Sequence, residues 1–472
     1  MKNKSLPTLN QHQARLGRGA LSAALFSIIF AELYALFAAG ARTPGVYQWL
    51  PGKDFFQVAL VTHVNLALVV WFLLFIGMLA LVSVVLGDSE SPKWNSVGKA
   101  GILLSSFGML LMVLAPFLGS HNPVMSNYIP VMNHPLFFIA LILVFSGSAL
   151  MLSYPFLAEA QKNSLQLHKE FSLGLKLSGM TFGLALICFL LAFLKLEGPP
   201  NTNYFENLFW GGGHLLQFVN TLAMLSCWIL LAEYLYGESL LPPLMTKFLL
   251  ISVLLAAFPG PLFYLLYPVY SQDLREGFTF LMRWGLGLST ITLGLRVLWL
   301  GIRKAEGLSW KNPVYTSLIF SVLLFAYGGL IGALIDNSDV KIPAHYHGVI
   351  GAVTLAFMGA SYQLLPVLRR KLEFGRWISW QPLFCGSGGL LFVTGMFWAG
   401  SHGVARKVHG TMQGLDNLGK IAGMTLMGLG GLITVFGLLI YVAVMIKSLR
   451  KETESLGVSY DSSHHSRIEG VS

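Results

Sequence analysis

Apolar residues in this chain gather into long blocks joined by short polar connections. The block VALVTHVNLALVVWFLLFIGMLALVSVVL at 58–86 is one example. About 20 apolar residues suffice to cross ~30 Å of hydrocarbon as a helix. The pattern predicts about twelve helices, near 19–41, 56–87, 97–119, 135–158, 171–194, 206–236, 245–267, 277–302, 314–335, 343–366, 381–400 and 420–446. The expected fold class is therefore all-α, a polytopic membrane bundle of about 12 transmembrane helices. The first block is too long and too poorly bounded for a cleavable signal peptide, and no A-x-A-like site follows it. The chain divides into an N-terminal segment at 1–18, a transmembrane bundle at 19–448 and a polar tail at 449–472. With every connection short, no soluble second domain is expected.

Composition strengthens the membrane reading. Of 472 residues, 55% are hydrophobic and 11% charged, against roughly 25% charged in soluble proteins. The net charge of +10 could suggest nucleic acid, but its distribution does not. With the N-terminus inside, inner segments hold Lys2, Lys4, Arg15, Arg18, Arg303, Lys304, Lys311, Arg369, Arg370, Lys371, Arg376, Lys447, Arg450 and Lys451. Outer loops hold fewer, chiefly Arg42, Lys53, Lys195, Arg275, Lys341, Arg406, Lys407 and Lys420. This is the positive-inside asymmetry, and it places both termini in the cytoplasm. No nucleic-acid partner is expected. The three cysteines, Cys188, Cys227 and Cys385, fall in apolar helices and read as buried small residues.

The twelve histidines narrow the chemistry. His12, His168, His464 and His465 fall at cytoplasmic ends or loops, and His121, His134, His402 and His409 in or beside outer loops. His63, His214, His345 and His347 lie in or at the mouths of hydrophobic helices, where ionisable groups are costly and are functional candidates by default. For each alone, a neutral histidine bonded to a neighbouring helix is an equal alternative. His345 and His347 form an H-x-H at a helix start. Positions i and i+2 point about 200° apart, so the two cannot easily chelate one metal but can serve two flat cofactors on opposite sides of the helix. Haem suits such an apolar, glycine-rich interior, and a haem held by two histidines needs a ligand from another helix. His63 is at comparable depth.

The segment IPAHYHGVIGAVTLAFMGASYQLLP (342–366) resembles the tenth helix of the large subunit of the haem–copper oxidase and nitric-oxide reductase superfamily, the cytochrome c oxidase subunit I-like proteins. LVTHVNLALVVWFLLFIGMLA (60–80) resembles the second helix, NLFWGGGHLLQFVN (207–220) the sixth, and GMFWAGSHGVARKVHG (395–410) the segment after the eleventh. The resemblance covers nearly the whole chain. It implies that His63 and His347 are the axial pair of a low-spin haem and that His345 is the proximal ligand of a second, high-spin haem. It implies that His214 is the first ligand of a non-haem copper or iron site, and that Arg406 and Lys407 balance propionate charge. For the basic pair, a solvated role is an equal alternative.

The sequence departs from the family pattern at the second metal. Between His214 and His345 there is no histidine, so the seventh-helix His-His pair is missing. One histidine does not hold copper tightly, which leaves copper or non-haem iron in doubt. The tyrosine that oxidases place four residues after the first copper histidine is Phe218 here; Tyr264 is the candidate stand-in.

The function the resemblance implies is a respiratory membrane oxidoreductase, taking electrons from a cytochrome c or quinol and reducing oxygen or nitric oxide at the high-spin haem. Additional membrane subunits and a bacterial or archaeal cytoplasmic membrane are implied as well. The absence of C-x-x-C-H places any c-type cytochrome on a separate chain. The competing reading is a non-catalytic haem protein for electron transfer, gas sensing or complex assembly that has lost the copper site. A cofactor-free transporter has only helix number in its favour, without a repeat of its halves. Other charges within the spans are few: Glu32, Lys176, Glu233, Arg283 and Arg296. Lys176 and Arg296 are near enough to one face to snorkel. Asp336 and Asp339 read as solvated loop residues.

Overall fold

The structure is a computed structural model that describes residues 9–43, 45–49, 53–85, 93–118, 122–159, 165–304, 309–372 and 375–452. His121, His464, His465, Lys2, Lys4 and most of the expected tail lie outside the described residues. Among the described residues, eleven helices are long and apolar enough to cross a membrane. They are α1 (Gln11–Gly40), α2 (Phe55–Val82), α3 (Trp94–Phe117), α4 (Pro135–Glu159), α5 (Lys169–Lys195), α6 (Thr202–Tyr236), α7 (Pro243–Leu266), α8 (Gln272–Arg303), α9 (Pro313–Ala333), α11 (Arg376–Ser401) and α12 (Leu418–Arg450). The twelfth long helix, α10 (Lys341–Leu364), has the length, but Lys341, His345 and His347 dilute its apolar content. This is the expected all-α polytopic bundle.

The helices sort into an inner and an outer set. In α2 and α6, 83% and 94% of the apolar stretch is buried; in the other nine of these spans the share is 33–56%. A helix apolar on every side belongs in the interior of a bundle. The outer helices leave Leu244, Trp284, Ile302 and similar side chains exposed, as lipid-facing surfaces do. The two central helices both carry histidines.

Several boundaries differ from the sequence reading by a few residues, and two of them show why. Helix α1 starts at Gln11, well before 19, because its polar first turns are internally bonded. The Asn10 side chain caps it by accepting the Gln13 amide at 2.9 Å. Buried Gln13 donates to the Val84 carbonyl at 2.9 Å and the Tyr154 hydroxyl at 3.2 Å. Helix α12 runs on to Arg450, with Lys447 and Arg450 in the last turn, where the helix dipole favours cations.

Several membrane charges are paired. Glu233 meets His168, and Lys176 meets Glu159. Arg296 donates to the Leu240 carbonyl at 2.6 Å and lies over Trp299. Asp336 and Asp339 are not simply solvated: Lys341 binds both, and Asp339 is buried with only 11% of its side chain exposed. Its Oδ1 accepts the Lys341 amide at 2.7 Å, fixing the first turn of α10. At the same end, Pro123–Val124 pairs antiparallel with Val131–Met132, in register Pro123↔Met132.

Candidate functional site

A cavity of about 1750 Å³ runs between α1, α2, α6, α8, α9, α10, α11 and α12. It exceeds the roughly 300–1,000 Å³ typical of a pocket for one small molecule. His63, His214, His345 and His347 all line it, so the structure brings together the four histidines singled out from the sequence. Glu32 and Arg283 line it as well.

Each histidine is oriented by a backbone carbonyl. His63 closes the regular turn before a π-helical segment, Asn65–Val70, that interrupts α2. Such insertions concentrate at functional sites. Here the neighbours hold it open: Ser27 donates to the Leu66 carbonyl at 2.8 Å, and Asn65 to the Val61 and Pro130 carbonyls at 2.9 and 2.7 Å. His63 Nδ1 bonds the Ala31 carbonyl of α1 at 2.9 Å. His347 Nδ1 bonds the Pro343 carbonyl one turn back at 2.7 Å. His345 Nδ1 reaches across to the Gly328 carbonyl of α9 at 2.7 Å. That reach depends on a backbone contact between α9 and α10, since a Cβ on Gly348 would lie 2.7 Å from the Gly328 Cα.

A carbonyl only accepts, so Nδ1 carries the proton in all three rings and Nε2 keeps its lone pair. This is how a protein presents imidazole as a metal ligand. The rings of the H-x-H pair have different surroundings. His345 lies against Gly332 of α9, and His347 is 4.9 Å from the Phe392 ring of α11, within electrostatic reach of His63 and Arg42.

His214 is different. Its Nδ1 bonds the Trp210 carbonyl at 2.7 Å, and its Nε2 bonds the Tyr128 hydroxyl at 2.9 Å, so both ring nitrogens are taken. Among the described residues, no group of three or more His, Cys, Asp or Glu side chains is placed to hold a metal ion. Tyr264 is not brought to the cavity. It is buried with its hydroxyl against Gly211, and the Phe278 ring is 5.7 Å from both Tyr264 and His214.

Three cations line the cavity from its loop end: Arg42, Arg406 and Lys407. Arg406 and Lys407 donate to Asn127 Oδ1 at 3.3 and 3.1 Å, and Lys407 also bonds the Met125 carbonyl. Asn127 in turn donates its backbone and side-chain N–H groups to Glu206. Arg42 donates to the Ala405 carbonyl at 3.2 Å. Burial pushes the Lys407 ammonium down to about 8, helped by the Arg406 charge and opposed by Glu206. Burial likewise pushes Arg42 down to about 10, against the influence of Tyr346. The sequence had marked Arg406 and Lys407. It gave no signal for Tyr128, Asn127 or Glu206, and Arg42 read only as a topology charge.

The family model described as "Cytochrome C and Quinol oxidase polypeptide I" matches residues 15–447. The chain belongs to this family. It is 30% identical over 369 residues to an uncharacterised protein of Aquifex aeolicus (strain VF5), covering 76% of this chain and 86% of that one. It is 25% identical to an uncharacterised protein of Rickettsia prowazekii (strain Madrid E), over 94% and 97% of the two chains. A haem–copper terminal oxidase dimer solved by cryo-electron microscopy has the same fold, with a TM-score of 0.71 and 15% identity over 94% of this chain and 86% of that one.

Membership in the oxidase polypeptide I family implies haem cofactors and a membrane complex supplied with electrons. The cavity fits haem: it is large and mostly apolar, three imidazoles keep Nε2 free, and three cations suit carboxylates at one end. It does not fit a second metal, because the one further histidine has no free ring nitrogen.

Proposed function

We propose that this member of the oxidase polypeptide I family is a two-haem membrane oxidoreductase without a second metal. His63 and His347 would hold a low-spin haem from α2 and α10, and His345 would hold a second haem that would bind a small gas, oxygen or nitric oxide. The single observation that carries this is the shared orientation of the three imidazoles around one cavity, with Nδ1 locked on a carbonyl and Nε2 available. The haems would supply electron transfer and gas binding. The chain's own residues fix the ligand rings, exclude bulk water with an apolar wall, and set Arg42, Arg406 and Lys407 where propionates would lie. Electrons come from a cytochrome c or quinol through partner subunits, and the charge asymmetry supports a bacterial or archaeal cytoplasmic membrane with both termini on the cytoplasmic side.

The test is haem stoichiometry with reduced-minus-oxidised and carbon monoxide difference spectra on the purified protein. Two haems per chain, one of them binding carbon monoxide, are expected. His63→Ala should remove the low-spin spectrum and His345→Ala the carbon monoxide signal; equal loss of both signals in each variant would overturn the assignment.

One observation favours a second reading, a non-catalytic electron-transfer or gas-sensing protein. Both nitrogens of His214 are engaged, which leaves no free ring nitrogen for the metal that oxidases use beside the haem. Carbon monoxide binding without turnover of oxygen or nitric oxide would select it.

A further inference from the structure

The contact between Tyr128 and His214 is not used by the haem ligation itself. We infer that these two side chains form a metal-free, mutually hydrogen-bonded pair whose dipoles act electrostatically on a diatomic ligand in the cavity, and that Tyr128 occupies the imidazole lone pair through which His214 would otherwise bind a second metal. The inference rests on the reading of a haem at His345.

The proton assignment follows from the partners. The Trp210 carbonyl can only accept, so His214 Nδ1 is the donor over 2.7 Å and Nε2 is left as an acceptor. The Tyr128 hydroxyl therefore donates to Nε2 over 2.9 Å. A metal could reach that lone pair only after displacing the phenol. Both residues line the cavity that His345 lines. The polarity and hydrogen bonding opposite a proximal histidine decide how a haem handles a bound gas.

Tyr128 is held in place at some conformational expense. Its φ is +61°, in the left-handed region that a bulky side chain rarely adopts. Such residues persist where their surroundings over-determine them, and they gather at functional sites. Four contacts fix this one. Glu206 accepts the Asn127 amide at 2.7 Å, and Ser126 Oγ donates to the Ile129 carbonyl at 2.7 Å. Asn65, two residues beyond His63, donates to the Pro130 carbonyl at 2.7 Å. The phenol ring stands edge-on to Trp210 with centroids 5.8 Å apart. On α6, Gly213 leaves room for the ring, since a Cβ there would lie 2.5 Å from Tyr128 Cβ and Cγ. Gly213, His214 and Trp210 thus form one seat for Tyr128.

The test combines metal analysis with the infrared C–O stretch of the carbon monoxide complex, using the haem-loaded protein from copper- and iron-replete cells. The wild type should hold no copper or non-haem iron in proportion to chain, and His214→Ala should leave its non-haem metal content unchanged. Tyr128→Phe should shift the C–O stretch, His214→Gln should shift it too, and the double variant should match the larger single shift because the pair acts as a unit. If Tyr128→Phe fails to fold, His214→Gln with the wild-type metal analysis decides alone. One copper or iron per chain that His214→Ala removes would overturn the inference, as would a bound carbon monoxide whose stretch neither variant moves. A wild type with no haem, or with haem inert to carbon monoxide, would overturn both this inference and the haem reading. That outcome differs visibly from an unmoved stretch.

Discussion

Gly332 lies beneath the imidazole of His345 so closely that a Cβ there would come within 2.5 Å of Nδ1 and 2.7 Å of Cε1. The glycine on α9 therefore sets the height of a ring carried by α10, while the Gly328 carbonyl one turn away sets its rotation. Gly332→Ala would push the ring aside or part the two helices, an overpacking cost of about 1–3 kcal/mol. The expected outcome is a weakened carbon monoxide complex with the low-spin absorption of the His63–His347 haem retained. Loss of the low-spin band in parallel would show that the two sites do not separate as proposed.

Asn127 ties the Tyr128 hairpin to the basic pair through one side chain. Its Oδ1 accepts from Arg406 and Lys407, and its N–H groups go to Glu206. Asn127→Ala removes the acceptor shared by two cations and one donor to a carboxylate. Hydrogen bonds to charged groups contribute about 1.5–3 kcal/mol each, less where water can replace the partner. A fall in Tm of several degrees is expected in detergent, together with a C–O stretch displaced as in Tyr128→Phe. An unchanged Tm would mean that Glu206 and the cations find each other directly.

The bundle and the four histidines were legible in the sequence because their signals are local. An apolar block of helix length needs no partner to be recognised, and H-x-H declares two opposed faces of one helix within three residues. What the sequence concealed depends on contacts between distant segments. Tyr128 and His214 are 86 positions apart, and Asn127 and Glu206 are 79 apart. Tyr128 sits in a turn among Ser, Asn and Pro, where a tyrosine carries no periodic signal. The solvated reading of Asp339 failed for the same reason: its burial comes from the distant 399–405 segment packed over it, where Gly400 lies against its carboxylate. Tyr264 was the stand-in that the family resemblance suggested from the seventh helix. Tyr264 instead packs on Gly211 and the Phe278 ring, apart from the residues that line the cavity.

Asp339 anchors the start of the helix that carries both histidines of the H-x-H pair. Asp339→Ala removes the acceptor of the Lys341 amide and leaves the Lys341 ammonium with Asp336, an aspartate two-thirds exposed. Loss of such a cap costs about 0.5–2 kcal/mol. A lower Tm and broadened absorption from both haems are expected, because His345 and His347 lie one to two turns beyond the anchor. Asp339→Asn, which keeps an acceptor oxygen, should recover most of the Tm; failure to do so would assign the effect to charge rather than to the cap.

Lys407 gives a pH signature whose direction can be worked out. In the folded chain its ammonium is pushed from the ordinary 10.5 to about 8, first by burial and then by Arg406. Below about pH 8 the lysine is protonated in both folded and unfolded chains, and folding bears the full cost of burying the charge. Between about 8 and 10.5 the unfolded chain still holds the proton that the folded chain has released, so stability rises with pH. Above that window both forms are neutral and the cost has gone. Haem-free protein should therefore gain Tm from pH 8 to 10 relative to Lys407→Met, in which this titration is absent. Propionates bound beside the amine would favour its charged form and move the window upward, so in the haem-loaded protein the difference between wild type and variant should be flat near pH 8. The same slope with and without haem would place the propionates away from Lys407.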